Sequence, residues 1–337
     1  MTSMLVLGGT SWLGGRIAHE GVVRGHAVTC LARGESGHAP AGATFVCGDR
    51  SQPGAYADVL DRRWDMVVDL SRQPGQVRSA VDALGGVASH WTFVSTGSVY
   101  ADQSVRLTET SPLLEPFEGD EAPAEQYGEA KVACEQAVGR LRHHLIVRAG
   151  LIGGPGDRSD RLGYYVSRFA LAGADDVLVP DVAEQPMQVV DARDLARWIV
   201  RAAEERATGV VHGVGEPTTV GAVLAASAAV AGPAHQLPAS PDWLHDHDVE
   251  EWMGPRSLPL WLPSSHHGMG LMDDTRALEL GLRRRPLAET LADTLADERE
   301  RGLDRERRAG LSRADELLLL DELGSAEQLE KSVPSPS

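Results

Sequence analysis

The segment MLVLGGTSWLGG, residues 4–15, constrains the fold more than any other part of the chain. Four apolar residues run without a polar interruption into a glycine-rich turn, and Trp12–Arg24 then carries Leu13, Ile17, Val22 and Val23 at helical spacing. A strand with no polar face is one that is covered on both sides, as in a parallel sheet. The pattern repeats. Ala27–Leu31, Thr44–Val46, Met66–Leu70, Trp91–Val94 and Leu145–Val147 read as strands, and Gly75–Leu84 and Glu125–Leu141 read as helices between them. Strands alternating with helices at this spacing predict an α/β fold with a doubly wound parallel sheet.

Beyond Gly150 the pattern loosens. Gly153–Asp157 is a Gly/Pro loop, Leu162–Leu171 reads as a helix, and Val189–Val200 as a strand end running into a helix. The proline- and tryptophan-containing stretch Pro233–Pro263 has no clear period, and Leu287–Arg299 is an amphipathic helix. The expected division is a dinucleotide-binding domain over 1–150 and a smaller substrate lobe over 151–300, with about 188–212 returning to the core. A charged helix and a disordered tail ending in SVPSPS then cover 301–337.

Charge and cysteine content exclude several classes. Asp+Glu 49 against Lys+Arg 32 gives a formal net charge of −17, a field that repels a phosphate backbone, so nucleic acid is not an expected partner. Cys30, Cys47 and Cys134 show no metal-ligand spacing, and no metal is expected. The cluster His245-Asp246-His247-Asp248 has ligand-type residues but no helix-face spacing, and reads as a solvated loop. No apolar run is long enough for a membrane span and the first residues carry no export signal, so the expectation is a cytoplasmic protein acting on a small molecule.

The turn after the first strand suits a pyrophosphate, because backbone N–H groups and the positive end of the helix converge there. Gly8, Thr10, Ser11, Trp12, Leu13 and Gly14 are the candidates, spaced Gly8-x-x-Ser11-x-x-Gly14 rather than as G-x-G-x-x-G. At the end of the second strand an acidic residue would hold the adenosine ribose and favour NAD. The chain has Ala32-Arg33 there, which leaves room for a 2′-phosphate and supplies a guanidinium to pair with it, so NADP(H) is favoured and NAD(H) is the alternative. Asp49 and Arg50, after the third strand, are further cofactor candidates, Asp49 as an acceptor for the adenine amino group.

Tyr127-Gly128-Glu129-Ala130-Lys131 puts a phenol and an ammonium four residues apart on one helix face. A phenol is a weak acid near neutral pH, and a neighbouring cation stabilises its phenolate and fits it for proton transfer. Lys131 and Lys331 are the only lysines of the sequence, so a lysine at this spacing is a poor candidate for accident. The segment VSTGSVYAD supplies Thr96, Ser98 and Tyr100 at a strand's C-terminal end, where open α/β sheets bind ligands. These three are the candidate substrate contacts.

Together the GGTSWLGG turn, VSTGSVYAD, YGEAK and the RAGLIGGPGD loop resemble the extended short-chain dehydrogenase/reductase superfamily, over roughly residues 4–300 and most strongly before 160. The resemblance implies a Rossmann-type sheet and a catalytic set of Thr96, Tyr127 and Lys131, with the lysine also on the nicotinamide ribose. It further implies that Leu70, Ser71 and Leu151 line the cofactor, and homodimers are an option in that family. Ser11 stands where the family has a middle glycine and is expected to crowd the pyrophosphate. Gly97-Ser98 replaces the Asp-Glu pair of the sugar 4,6-dehydratases, which argues against dehydration. The leading expectation is reversible carbonyl/alcohol hydride transfer with NADP(H). The alternatives are a redox-neutral epimerase acting on a nucleotide-sugar and a non-catalytic dinucleotide sensor or scaffold.

Overall fold

The computed structural model of the chain describes residues 2–332, so most of the tail predicted to be disordered lies outside the described residues. In chain order the elements begin β1 (Ser3–Leu7), α1 (Trp12–Val23), β2 (Ala27–Ala32), β3 (Thr44–Cys47), β4 (Met66–Asp69), α2 (Pro74–Leu84), β5 (Trp91–Thr96), α3 (Tyr127–Gly139) and β6 (His144–Ala149). They continue with β7 (Leu151–Gly153), α4 (Arg161–Ala172), β8 (Asp176–Pro180), β9 (Pro186–Asp191), α5 (Ala192–Glu204), β10 (Gly209–Gly213), β11 (Glu216–Thr219), α6 (Val220–Ala231) and β12 (His235–Ala239). The remainder is α7 (Pro241–Asp246), β13 (Glu250–Glu251), β14 (Ser257–Leu258), α8 (Thr275–Glu279), α9 (Leu287–Arg301) and α10 (Arg313–Ser332).

The chain forms two compact units. The first holds Met1–Ile152, Gln188–Glu216 and Leu271–Arg284. Its seven strands make one parallel sheet in the order β10-β6-β5-β4-β1-β2-β3. This is a Rossmann-type doubly wound sheet. The unbroken apolar run of β1 has a direct cause here. Met4 and Val6 enter a core shared with Ile17 of α1 and with Leu195 and Ile199 of α5. Leu5 and Leu7 enter the opposite core with Val77 and Val81 of α2 and Cys134 and Val138 of α3. With period 2 along the strand, covering both faces demands apolar residues at every position.

The second unit holds Gly153–Met187, Pro217–Gly270 and Arg285–Ser337. In it α4 packs against α6 and α9, β8 pairs with β12 in parallel, and α10 lies on β8. The division differs from the expected one in two places. Segment 271–284, expected in the lobe, joins the first unit. The described stretch after residue 301, expected to stand apart, is built into the second unit, where Leu311, Leu319 and Leu323 are buried. Charge explains the misreading. Glu298 of α9 is buried and takes Arg301 at 2.8 Å, Arg305 at 3.1 Å and Arg307 at 2.8 Å, while Glu316 of α10 is buried against Arg168 at 3.2 Å. These charges are paired inside the fold and not spread on a solvated tail.

Candidate functional site

Strand β1 pairs with β2 on one side and β4 on the other, so the chain connections leave it in opposite directions. A crevice opens at such a switch point, beyond the carboxyl ends of the two central strands. The segments that meet it are the 8–11 turn after β1 and Leu70-Ser71 after β4.

The turn is built tightly. Ser11 caps α1: its hydroxyl accepts a hydrogen bond from the Gly14 N–H at 3.2 Å and donates to the Gly8 carbonyl at 2.8 Å. That geometry revises the expected crowding, because the serine side chain is folded back into the turn. Gly14 makes the cap possible, since a Cβ there would lie 2.2 Å from the Gly8 oxygen. Leu13 is core, and Trp12 is partly buried against the same core with the Arg16 guanidinium 5.8 Å from its ring centroid.

A cleft extends from this turn, lined by Gly8, Thr10 and Ser11 at one end and by Ala32, Arg33, Gly34, Glu35 and Ser36 at the other; Gly48, Asp49, Arg50, Ser71 and Gln76 also line it. Glycine-bounded backbone at a helix start, followed by hydroxyl and charged side chains along the cleft, is a donor set that fits a dinucleotide. Arg33 is exposed and paired with Glu35 at 3.0 Å. The Asp49 carboxylate accepts from the Ser51 N–H at 3.0 Å and hydroxyl at 2.7 Å, and those bonds hold it below the usual carboxylate range.

Arg50 has a different role from the one its position suggests. It is buried, and its fork holds both oxygens of Asp69, each at 2.9 Å. It also donates to the Tyr56 hydroxyl at 3.1 Å, the Gln76 carbonyl at 2.9 Å and the Ser71 hydroxyl. The guanidinium is consumed by the wall of the cleft. Sequence spacing missed Asp69 as its partner and Gln76 as a lining residue.

Lys131 is the joint between this cleft and the hydroxyl segment. Its ammonium is buried and donates to the Ser71 carbonyl at 2.7 Å and the Val94 carbonyl at 2.7 Å, at the ends of β4 and β5. Thr96 ends β5; its hydroxyl accepts from the Ser98 N–H at 3.2 Å and donates to the Ser98 hydroxyl at 3.2 Å. The first turn of α3 lies directly on this segment, because a Cβ on Gly128 would come within 2.3 Å of the Ser98 carbonyl. Tyr127, the residue before that glycine, is 37% exposed. Leu151 is buried at the start of β7.

Tyr100 is a correction. It is fully buried, its hydroxyl bonds to His212 Nε2, and it accepts from Arg148 at 2.9 Å, so it is not presented to a substrate. Burial pushes its phenol up to about 12. It belongs to a network that sequence reasoning missed: Ser95 donates to Glu135 at 2.5 Å, and Glu135 takes Arg148 at 2.7 Å. Glu135 follows Lys131 by four residues on α3, which was the available signal for a polar row on one helix face.

The His245–Asp248 cluster stays outside the site. His245 pairs with Glu251 at 3.0 Å and His247 stacks on Trp243, and no metal-type group of three or more ligand residues occurs among the described residues. No described helix is long and apolar enough to cross a membrane.

Residues 79–215 match the NAD dependent epimerase/dehydratase family. Over that stretch the chain is similar to this family, whose description names a nicotinamide dinucleotide dependence. No curated protein sequence matches it. Among solved structures it is similar to a putative epimerase from Burkholderia cenocepacia J2315, with 22% identity, a TM-score of 0.66, and 89% of this chain and 98% of that one covered. It is similar to the Bordetella bronchiseptica enzyme WbmH in complex with NAD+, at 20% identity and TM-score 0.63, covering 89% and 99%. The UDP-N-acetylglucosamine 4-epimerase from Bacillus cereus follows at 18% identity and TM-score 0.62, covering 90% and 98%. At these identities the likeness is one of fold.

Proposed function

We propose that this chain is an extended short-chain dehydrogenase/reductase that moves a hydride at a secondary alcohol or ketone carbon of a small molecule, in the redox-neutral manner of an epimerase. The observation that carries the chemistry is the Lys131 ammonium on the Ser71 carbonyl at 2.7 Å, since Ser71 also lines the cleft. One residue thus ties the catalytic helix to the dinucleotide crevice. A nicotinamide dinucleotide, when bound, supplies the hydride acceptor and donor. Gly8, Thr10, Ser11, Leu13 and Gly14 would hold its pyrophosphate, and Lys131 and Ser71 its nicotinamide half.

The chain's own residues handle the proton. Tyr127 exchanges a proton between its phenolic oxygen and the substrate oxygen, Lys131 supplies the positive charge that favours the phenolate, and Thr96 orients the substrate oxygen. Epimerisation at one carbon needs the same three groups twice, once in each direction, with no net consumption of cofactor. The names of the similar structures support this form and point to a nucleotide-sugar as the substrate class. A second reading, NADPH-dependent carbonyl reduction, is favoured by Arg33 in the cleft wall.

The test is Tyr127→Phe. It retains dinucleotide binding and loses about 10²–10⁴-fold in turnover on any active substrate. Full turnover in this variant removes Tyr127 from the mechanism. Stereochemical inversion of a nucleotide-sugar without net cofactor oxidation identifies the epimerase, and stoichiometric loss of NADPH absorbance identifies the reductase.

A further inference from the structure

The choice between NAD and NADP comes down to charges at the far end of the cleft, and they do not favour a phosphate as Arg33 alone would suggest. Among the described residues, four charged ones line this cleft: Arg33, Glu35, Asp49 and Arg50. Arg50 is neutralised by Asp69, with both terminal guanidinium nitrogens committed at 2.9 Å. Asp49 lies within electrostatic reach of Arg33. Among the described residues that leaves Arg33 as the one cleft-lining cation not buried in a fixed pair, and Glu35 already holds it at 3.0 Å. Both partners are largely in solvent, at 58% and 65% exposure, so the contact is exchangeable.

We infer that Glu35 is a specificity-determining residue: its carboxylate competes with a cofactor 2′-phosphate for the Arg33 guanidinium. This assignment rests on the dinucleotide reading of the cleft. A 2′-phosphate pairing with Arg33 here would share the guanidinium with Glu35, in a cleft that the carboxylates of Glu35 and Asp49 also line. A 2′-hydroxyl meets no such opposition and finds carboxylate oxygens able to accept its hydrogen bond. Arg33 recognises phosphate, and Glu35 weakens that recognition.

The experiment measures dissociation constants of NADH and NADPH by calorimetry on the full chain, for the wild type, Glu35→Gln, Arg33→Ala and the double variant. Glu35→Gln tightens NADPH roughly threefold or more at low salt, the range expected for removing an exposed charge competitor, and leaves NADH in place. The gain disappears in the Arg33→Ala background and shrinks as salt is raised, because exposed charges are screened. An NADPH-to-NADH affinity ratio that fails to rise in Glu35→Gln overturns the assignment, as does a rise that survives without Arg33. If the wild type binds neither NADH nor NADPH, the cofactor cleft itself is refuted and the Glu35 role falls with it. Binding of both with an unmoved ratio refutes Glu35 alone.

Discussion

Two arginine–carboxylate pairs contribute to one cleft, and they do opposite work. Arg50 and Asp69 are 6% and 0% exposed, whereas Arg33 and Glu35 are 58% and 65% exposed. The chemistry and the distances are nearly the same, 2.9 Å and 3.0 Å. Surroundings set the difference. A buried pair cannot lose one partner without leaving a desolvated charge, while an exposed pair exchanges its partner for water, salt or a ligand at little cost. The buried pair therefore shapes the cleft wall, and the exposed pair is free to recognise what enters.

The sharpest way to break this contrast is to remove Asp69. Asp69→Ala leaves Arg50 buried and uncompensated among Tyr56, Ser71 and Gln76, and should cost about 3–5 kcal/mol of folding stability. Urea denaturation reads it directly. A loss below about 1 kcal/mol would mean that water reaches Arg50 and that the two pairs do not differ in kind.

How far the sequence reached follows the same division. Strands β1 and β4 could be read because burial on both faces writes itself as uninterrupted apolar runs, as in Met4–Leu7 and Met66–Val68. The helix pair Tyr127 and Lys131 could be read because four-residue spacing is local. Arg50 could not, because its partner Asp69 lies 19 residues away and only the adjacency of the loops after β3 and β4 brings them together. Tyr100 was misassigned for the same reason, as His212 is 112 residues distant. In the second unit the buried charges of Glu298 and Glu316 mimic a solvated sequence, and α6 is so uniformly apolar (VGAVLAASAAVA) that no face stands out.

A smaller effect tests the exposed side of the contrast. Arg33→Ala should change folding stability by no more than about 0.5 kcal/mol, since it removes a surface pair and exposes nothing. Loss above about 1 kcal/mol in the same urea titration would show that Arg33 is structural, and would tie cofactor choice to the fold.

The smallest perturbation uses the cysteines as reporters of the two environments. Cys30 and Cys134 are buried, and burial pushes their thiols up to about 11 and about 12, so neither supplies thiolate near neutral pH. Cys47 is exposed at the end of β3, directly before Gly48 and Asp49 of the cleft, with its sulfur 3.9 Å from the Arg33 carbonyl. Iodoacetamide on the native protein should therefore modify Cys47 and spare the other two, as read by peptide mass spectrometry. A bound dinucleotide should slow that modification, because it orders the Arg33 loop against which the thiol lies. Labelling of Cys30 would mean that the sheet face behind the phosphate turn opens to solvent, and the rigid side of the comparison would fail. Labelling of Cys47 at an unchanged rate with saturating NADH would place the adenosine end of the cofactor away from the Arg33 loop, and the exchangeable side would fail instead.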